Sequence, residues 1–273
     1  MEKLILCTIM LIVIMITNWF GYADSQLHVG SGCSQSENTN VSNNPVYQAN
    51  LRTLLTSLAT NVPLKDGFFY NASVGNTSDD RVYGLAWCRG DVSPDTCSEC
   101  LNNTIRVPLE ECPESKGLVL WYNTCSLRFK NESFFGELWN ESSSATYGGN
   151  GLDDPSVFSA GFSMMESLVR NVSNNAPILM FYSSLLDFGG RERYGLSQCS
   201  RDLSNLDCRN CLEELLTTYK TYVLNRTGWE MQGMSCGMWY EMRGLNPSPN
   251  ASGTSFKHKV EMILALVAFL VFF

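Results

Sequence analysis

The sequence predicts an α+β chain of two tandem disulfide-stapled domains, each with two helices packed on an antiparallel sheet. Three observations predict it: a cysteine pattern written twice, helix-periodic apolar stretches opened by capping residues in both halves, and β-forming segments between them. The pattern appears in "YGLAWCRGDVSPDTCSECL", Tyr83 to Leu101, where the cysteines are spaced C-x8-C-x2-C. A C-x-x-C alone is ambiguous, because metal sites, thiol redox centres and disulfide scaffolds all use it. The compartment and the recurrence of the pattern decide.

The compartment is read from "MEKLILCTIMLIVIMITNWFGYADSQ". Lys3 precedes an apolar run from Leu4 to Ile16, and Gly21 and Ala23 stand at −3 and −1 of a cut after Ala23, so residues 1–23 read as a secretory signal peptide. The run is shorter than the roughly 18–20 apolar residues of a membrane span. Cys7 leaves with the peptide, so the 11 cysteines become an even number. In an oxidising compartment, paired thiols become disulfides and persist. N-x-S/T sequons at Asn40, Asn71, Asn76, Asn102, Asn131, Asn140, Asn171, Asn225 and Asn250 fit the same route and predict a glycoprotein. The chain is 44% hydrophobic and 17% charged, enough apolar matter for a core, and its net charge of −8 argues against nucleic acid as a partner.

One gapless offset of 111 residues sets Tyr83-Gly84-Leu85 on Tyr194-Gly195-Leu196. It also sets Cys88, Cys97, Cys100 and Cys125 on Cys199, Cys208, Cys211 and Cys236. That is a tandem duplication, with copies of a common domain size. The first domain is assigned to residues 26–137 and the second to 155–244. Residues 138–154, containing the Ser- and Gly-rich "NESSSATYGGNGLDD", read as the linker.

Within each copy the elements recur in order. Asn44-Pro45 and Asp154-Pro155 each place an N-cap residue before a proline at the first helical position. Tyr47, Leu51, Leu54, Leu55 and Leu58 then follow helical spacing in the first copy, and Phe158, Phe162, Met165 and Val169 in the second. The apolar segments "DGFFYNASV" and "ILMFYSSLL" predict a short strand before each YGL motif. Ser93-Pro94 and Ser204 open a second helix carrying the C-x-x-C, and "KGLVLWYNTCSLRF" reads as a strand pair or one long bent strand.

Four cysteines per frame allow three pairings, and spacing does not choose among them; four thiolates could also hold zinc, against which secretion is the main argument. The frame, its flanking YGL and the leucines Leu101 and Leu212 resemble the plant stress-antifungal domain, the ginkbilobin-type cysteine-rich repeat. That repeat occurs in ectodomains of cysteine-rich receptor-like kinases, in plasmodesmata-located proteins and in cysteine-rich repeat secretory proteins. The resemblance covers Gln26 to Gly244, and no kinase signature follows. It implies a five-stranded sheet in each copy. It also implies the pairs Cys88–Cys97, Cys100–Cys125 and Cys33–Cys112, then Cys199–Cys208 and Cys211–Cys236. By the offset, the counterparts of Cys33 and Cys112 fall at Ser144 and Val223, so both members of that pair are absent together in copy two, as a disulfide requires.

The chain has two histidines, His28 and His258, and neither lies within the body of a copy, so a Ser-His-Asp or Cys-His device lacks its base. The acid pairs Asp79-Asp80, Glu110-Glu111, Asp153-Asp154 and Glu213-Glu214 are adjacent in sequence, whereas a glycosidase sets two acids across a cleft. Neither a P-loop nor a dinucleotide fingerprint is present. The chain is therefore read as a non-enzyme without catalytic residues, cofactor or metal. Trp87, Trp121, Trp139, Trp229 and Trp239 could stack on sugar rings, but Trp87 and Trp121 read as structural. Antifungal relatives bind mannose through an Asn, an Arg and a Glu; carried over, these become Ser34, Val119 and Lys130 in copy one. In copy two the strand positions become Glu230 and Glu241, so neither copy keeps that site.

Residues 245–273 read as a spacer and hydrophobic anchor signal: small residues at Asn250 to Gly253, a polar stretch, then the apolar run Met262–Phe273. This matches a lipid (GPI) anchor signal with Asn250 or Ser252 as attachment site, the rival being a short membrane-spanning anchor. The expectation is a cell-surface recognition protein on the outer face of the plasma membrane. It would bind an apoplastic ligand, carbohydrate included, or a receptor-kinase ectodomain in defence or stress signalling. A secreted antifungal mannose-binding lectin and a plasmodesmata-located membrane protein are the alternatives.

Overall fold

The computed structural model describes residues 28–33, 44–106, 117–139, 143–147, 154–174, 180–188, 191–222 and 226–242. The signal-peptide segment, the C-terminal segment, His258, Ser34 and Cys112 lie outside them. The chain divides between Phe134 and Phe135 into two units.

The first unit runs β1 (His28–Cys33), α1 (Pro45–Asn61), a 3-10 turn, β2 (Phe69–Val74), β3 (Val82–Cys88), α2 (Pro94–Thr104), β4 (Gly117–Tyr122) and β5 (Cys125–Lys130). Its antiparallel five-stranded sheet has the order β1-β4-β5-β3-β2. The second unit runs β6 (Ser143–Tyr147), α3 (Pro155–Asn174), β7 (Phe181–Phe188), β8 (Arg191–Cys199), α4 (Asn205–Tyr222), β9 (Trp229–Gly233) and β10 (Cys236–Met242). Its sheet, β6-β9-β10-β8-β7, repeats the first strand for strand. The fold is α+β, and the long apolar segment before Lys130 is a tight hairpin of β4 and β5.

Caps and apolar stripes explain the helices. Asn44 Oδ1 accepts from the Val46 and Tyr47 amides at 2.9 and 3.4 Å, and Asp154 Oδ1 accepts from Ser156 and Val157 at 2.9 and 3.1 Å. Each satisfies amides that the first helical turn leaves unbonded. Tyr47, Leu51, Leu54, Leu55 and Leu58 are buried against the first sheet, where they meet Val82, Ala86, Leu118, Leu120, Leu127 and Phe129.

In α3 the buried stripe differs by a rotation from the expected one. Val157, Gly161, Met165, Leu168, Val169 and Val172 face the sheet, while Phe158 and Phe162 are half-buried on its flank. The reason is Gly161: a Cβ there would lie 2.4 Å from the Tyr240 hydroxyl, so tyrosine fills the space beneath the helix. The two phenylalanines pack instead beside Tyr219 of α4.

The segment read as a linker is not one throughout. Residues 143–147 form β6, paired with β9, and Leu138 and Trp139 already pack on the second unit, the Trp139 amide donating to Ser235 Oγ at 3.1 Å. An edge strand needs little apolar content, so "SSATY" looks like loop by composition. Register also revises one counterpart. Cys33 pairs with Leu118, and Leu118 corresponds to Trp229, whose partner is Tyr147. Tyr147, not Ser144, therefore stands where the first unit has Cys33. The 111-residue offset holds from the YGL motif onward and breaks before it, because the intervening loops differ in length. Val223 lies outside the described residues.

Candidate functional site

The cysteine frame ties one end of each sheet to the second helix. Cys88 ends β3 and Cys125 begins β5, and the two are register partners on neighbouring strands. Cys97 and Cys100, three apart on α2, lie on one helix face and point to the same place. The bonds are Cys88–Cys97 and Cys100–Cys125, with Cα separations of 5.6 and 6.1 Å. The second unit repeats this with Cys199 opposite Cys236 and bonds Cys199–Cys208 and Cys211–Cys236, again at 5.6 and 6.1 Å. All eight of these cysteines are buried. Cys33 is also disulfide-bonded, but unlike them it is exposed.

The loops feeding the frame are duplicated to the hydrogen bond. The Arg89 amide donates to Thr124 O and that of Ser200 to Ser235 O, both at 2.9 Å; Val92 to Arg89 O and Leu203 to Ser200 O are both 3.2 Å. Ser93 Oγ accepts from the Thr96 amide and Ser204 Oγ from that of Asp207, both at 3.1 Å, capping α2 and α4. The glycine of each YGL motif is where the first helix crosses closest. A Cβ at Gly84 would lie 2.8 Å from Leu54 Cδ2, and at Gly195 2.6 Å from Met164 Cε.

The acid pairs have structural duties or face solvent. Asp80 Oδ1 accepts from the amides of Asn76 and Thr77, both at 2.8 Å, and these bonds hold its carboxyl below the usual carboxylate range against its desolvation. Asp154 caps α3, and Glu213 and Glu214 lie on an exposed face of α4. Glu110, Glu111 and Asp153 are outside the described residues. Among the described residues no cluster of His, Cys, Asp and Glu is placed to hold a metal, and no helix is long and apolar enough to cross a membrane.

The positions carried over for mannose are not brought together as a polar site. Val119 is buried on β4 between Gly32 and Arg128, and Lys130 is ion-paired with Glu132. Glu230 accepts from Gln232 Nε2, and Glu241 pairs in register with Tyr194. Trp87, Trp121, Trp229 and Trp239 are buried and Trp139 half-buried, so four of these rings are packing. A cavity beside Cys211, lined by Trp139, Ser143, Glu214 and Thr218, has about 20 Å³, room for a water and no more.

Of the sequons, Asn71 lies on β2, Asn76 in the exposed loop after it, Asn102 on the outer face of α2, Asn131 just after β5 and Asn171 on α3. Asn40, Asn140, Asn225 and Asn250, like Ser252, are outside the described residues. Sequence reading missed the buried Arg128, whose guanidinium lies 4.9 Å from the Phe134 ring centroid. Its signal was only an arginine in an apolar strand.

The family described as salt stress response/antifungal matches residues 32–132 and 148–243. The chain is 33% identical over 196 residues to an antimicrobial ginkbilobin-2-like protein of Castanea crenata, covering 72% of this chain and 80% of that one. It is 30% identical over 211 residues to cysteine-rich repeat secretory protein 38 of Arabidopsis thaliana, covering 77% and 82%. The crystal structure of the tandem DUF26 ectodomain of the Arabidopsis thaliana cysteine-rich receptor-like protein PDLP8 superposes with a TM-score of 0.62 at 24% identity, covering 80% of this chain and 99% of that one. With two copies of the disulfide frame and two matched segments, the chain belongs to the salt stress response/antifungal (DUF26) family of cysteine-rich extracellular proteins.

Proposed function

We propose that this chain is a non-catalytic recognition protein of the cell surface, binding an apoplastic ligand or the ectodomain of a receptor kinase in defence or stress signalling. The observation that carries the reading is the rigid, duplicated frame. Four buried disulfides fix two equivalent sheets, while the described carboxylate pairs cap, brace or face solvent rather than meet across a cleft. Likeness to a receptor-like ectodomain supports a partner of receptor type. A signal peptide over residues 1–23, glycans on the exposed sequons and a lipid anchor at Asn250 or Ser252 complete the proposal. The two domains read in sequence at 26–137 and 155–244 are proposed with their boundary moved to Phe134/Phe135 and β6 counted in the second.

The test is covalent crosslinking of the full chain displayed on cells, with a glycan array in parallel. Recovery of a receptor-type ectodomain supports the reading. Strong mannose binding that maps to Val119 and Lys130 would favour the antifungal lectin instead. Turnover of a polysaccharide, abolished by an acid-to-amide change, would overturn the class. Release by phosphatidylinositol-specific phospholipase supports the lipid anchor, and resistance favours a spanning segment.

A further inference from the structure

Methionine is confined to one of the two copies. Of the 11 methionines in the sequence, none falls in residues 26–137, whereas Met164, Met165, Met180, Met231, Met234, Met238 and Met242 all fall in residues 155–244. In the core they stand where the first unit has leucine or phenylalanine. Leu120 and Leu127 face each other across β4 and β5, both 0% exposed; Met231 and Met238 face each other across β9 and β10 and are equally buried. The carbonyl of Phe68 accepts from the Cys88 amide and that of Met180 from the Cys199 amide, each from a left-handed backbone. Leu54 and Leu58 fill the space over Gly84, whereas Met164, Met165 and Leu168 fill it over Gly195.

Leucine and methionine are close in volume, so the exchange preserves the packing. What it changes is the chemistry: a thioether sulfur takes up an oxygen atom and a leucine does not. Every cysteine among the described residues is in a disulfide, so no thiol there competes for an oxidant. Met164 is half-buried, against Met165, Met231 and Met238 at 1%, 0% and 0% exposure. Its terminal methyl lies 2.6 Å from where a Cβ on Gly195 would stand, at the crossing of α3 on β8. β8 is an inner strand, with Gly195 set between Ser184 and Tyr240, so its backbone groups are committed to the neighbouring strands. A sulfoxide oxygen at this crossing meets Leu168 and Met165 instead of a hydrogen-bond donor, and a buried polar group without a partner is destabilising.

We propose that the second unit is an oxidant-responsive module, in which a hydroperoxide oxidises Met164 and the sulfoxide loosens α3 from its sheet while the first unit stays folded. A lone pair of the Met164 sulfur attacks one peroxide oxygen. The S–O bond forms, the O–O bond breaks, and the proton on the transferred oxygen passes to the departing one, which leaves as water when the oxidant is hydrogen peroxide. Sulfur gives up two electrons and the peroxide takes them. Opening of α3 then exposes Met165, Met231 and Met238, which are oxidised in turn. Enzymatic reduction of the sulfoxide returns the thioether and closes the unit again. The first unit, with no methionine in residues 26–137, has no such chemistry and serves as the reference within the same chain. This response does not depend on the ligand proposed above.

The test treats the full chain, disulfides intact, with hydrogen peroxide, and follows each methionine by mass spectrometry and each helix by hydrogen exchange. Met164 sulfoxide should form roughly tenfold faster than the sulfoxides of Met231 and Met238, which the oxidant reaches only through opening. Its formation should speed exchange in α3 roughly tenfold and leave α1 unchanged, and methionine sulfoxide reductase should restore the slow rate. Met164→Leu, which places over Gly195 the residue type found over Gly84, should slow the loss of α3 protection by about threefold or more. Should that variant fold poorly, the reductase arm on the wild-type chain decides by itself. Unchanged α3 exchange once Met164 is fully oxidised, equal loss in α1, loss that the reductase does not reverse, oxidation of Met231 as fast as that of Met164, or a folded Met164→Leu chain that loses α3 protection at the wild-type rate would each overturn the proposal.

Discussion

The Tyr219 ring lies 4.3 Å, centroid to centroid, from the ring of Trp229. Trp229 is the strand partner of Tyr147, the residue that takes the place of disulfide-bonded Cys33. Tyr219 exists in the helix only because α4 runs two turns beyond the position where α2 ends. Phe158 and Phe162 also stack on Tyr219, at 6.3 and 6.0 Å, and Trp229 stacks on Tyr240 at 5.7 Å. Aromatic packing thus stands where the first copy has its additional covalent staple.

Removing Tyr219 should therefore loosen the second unit alone. Tyr219→Ala deletes a ring that is 3% exposed, and large-to-small changes of this kind cost about 3–5 kcal/mol. Tyr219→Phe keeps the stack and should cost under about 1.5 kcal/mol, in the range of volume-conserving swaps. Urea unfolding followed by hydrogen exchange in α4 checks both. Equal loss of protection in α1 and α2 would contradict the assignment.

The YGL glycines give a paired test of packing. Gly84→Ala drives a methyl against Leu54 Cδ2 at 2.8 Å, Leu58 Cδ1 at 3.2 Å and the Arg128 carbonyl at 3.3 Å. Overpacking of this sort costs about 1–3 kcal/mol. Gly195→Ala meets Met164, Met165 and Leu168, and the two flexible thioether chains can move aside. Thermal unfolding should show the larger loss for Gly84→Ala, although the closest clash at Gly195, 2.6 Å, is the shorter.

These cases show what was legible in the sequence. The cysteine frame, the caps at Asn44 and Asp154 and the YGL strands are local, and local chemistry repeats in both copies. β6 was hidden because pairing at a sheet edge satisfies its backbone whatever its side chains are. The α3 stripe is the exception: Phe158 and Phe162 are apolar at helical spacing, whereas Gly161 faces the sheet for a tyrosine four strands later in the chain. Spacing alone left three pairings for each frame; the cause of the spacing is that Cys88 and Cys125 are strand neighbours beneath one helix face.

Capping serines supply a smaller, matched pair of effects. Ser93→Ala and Ser204→Ala each remove a 3.1 Å bond to an amide of the first turn. Each should cost about 1 kcal/mol, and about the same in both units. Chemical denaturation of the two variants and their double measures this, and additivity should hold because the sites lie in separate units.

Acid sensitivity should trace to Asp80. Its carboxyl is held low chiefly by the amide hydrogen bonds from Thr77 and Asn76, with Arg81 adding a Coulombic share. A lowered folded value means stability that is present above the ordinary carboxylate pKa of about 3.9 and is lost as pH falls through the folded value. Stability of the wild-type chain should thus fall below about pH 4, and Asp80→Asn should flatten that part of the curve while lowering the plateau above it. The opposite limb belongs to Tyr47, whose hydroxyl burial raises well above the ordinary phenol value of about 10. A raised folded value makes its stabilisation complete at neutral pH and lost as pH climbs past 10 toward that folded value, and Tyr47→Phe should remove the alkaline loss. Unfolding followed from pH 2 to 12 in the three proteins separates the limbs. An acid limb unchanged in Asp80→Asn would show that the Gly75–Arg81 loop does not couple to folding of the first sheet.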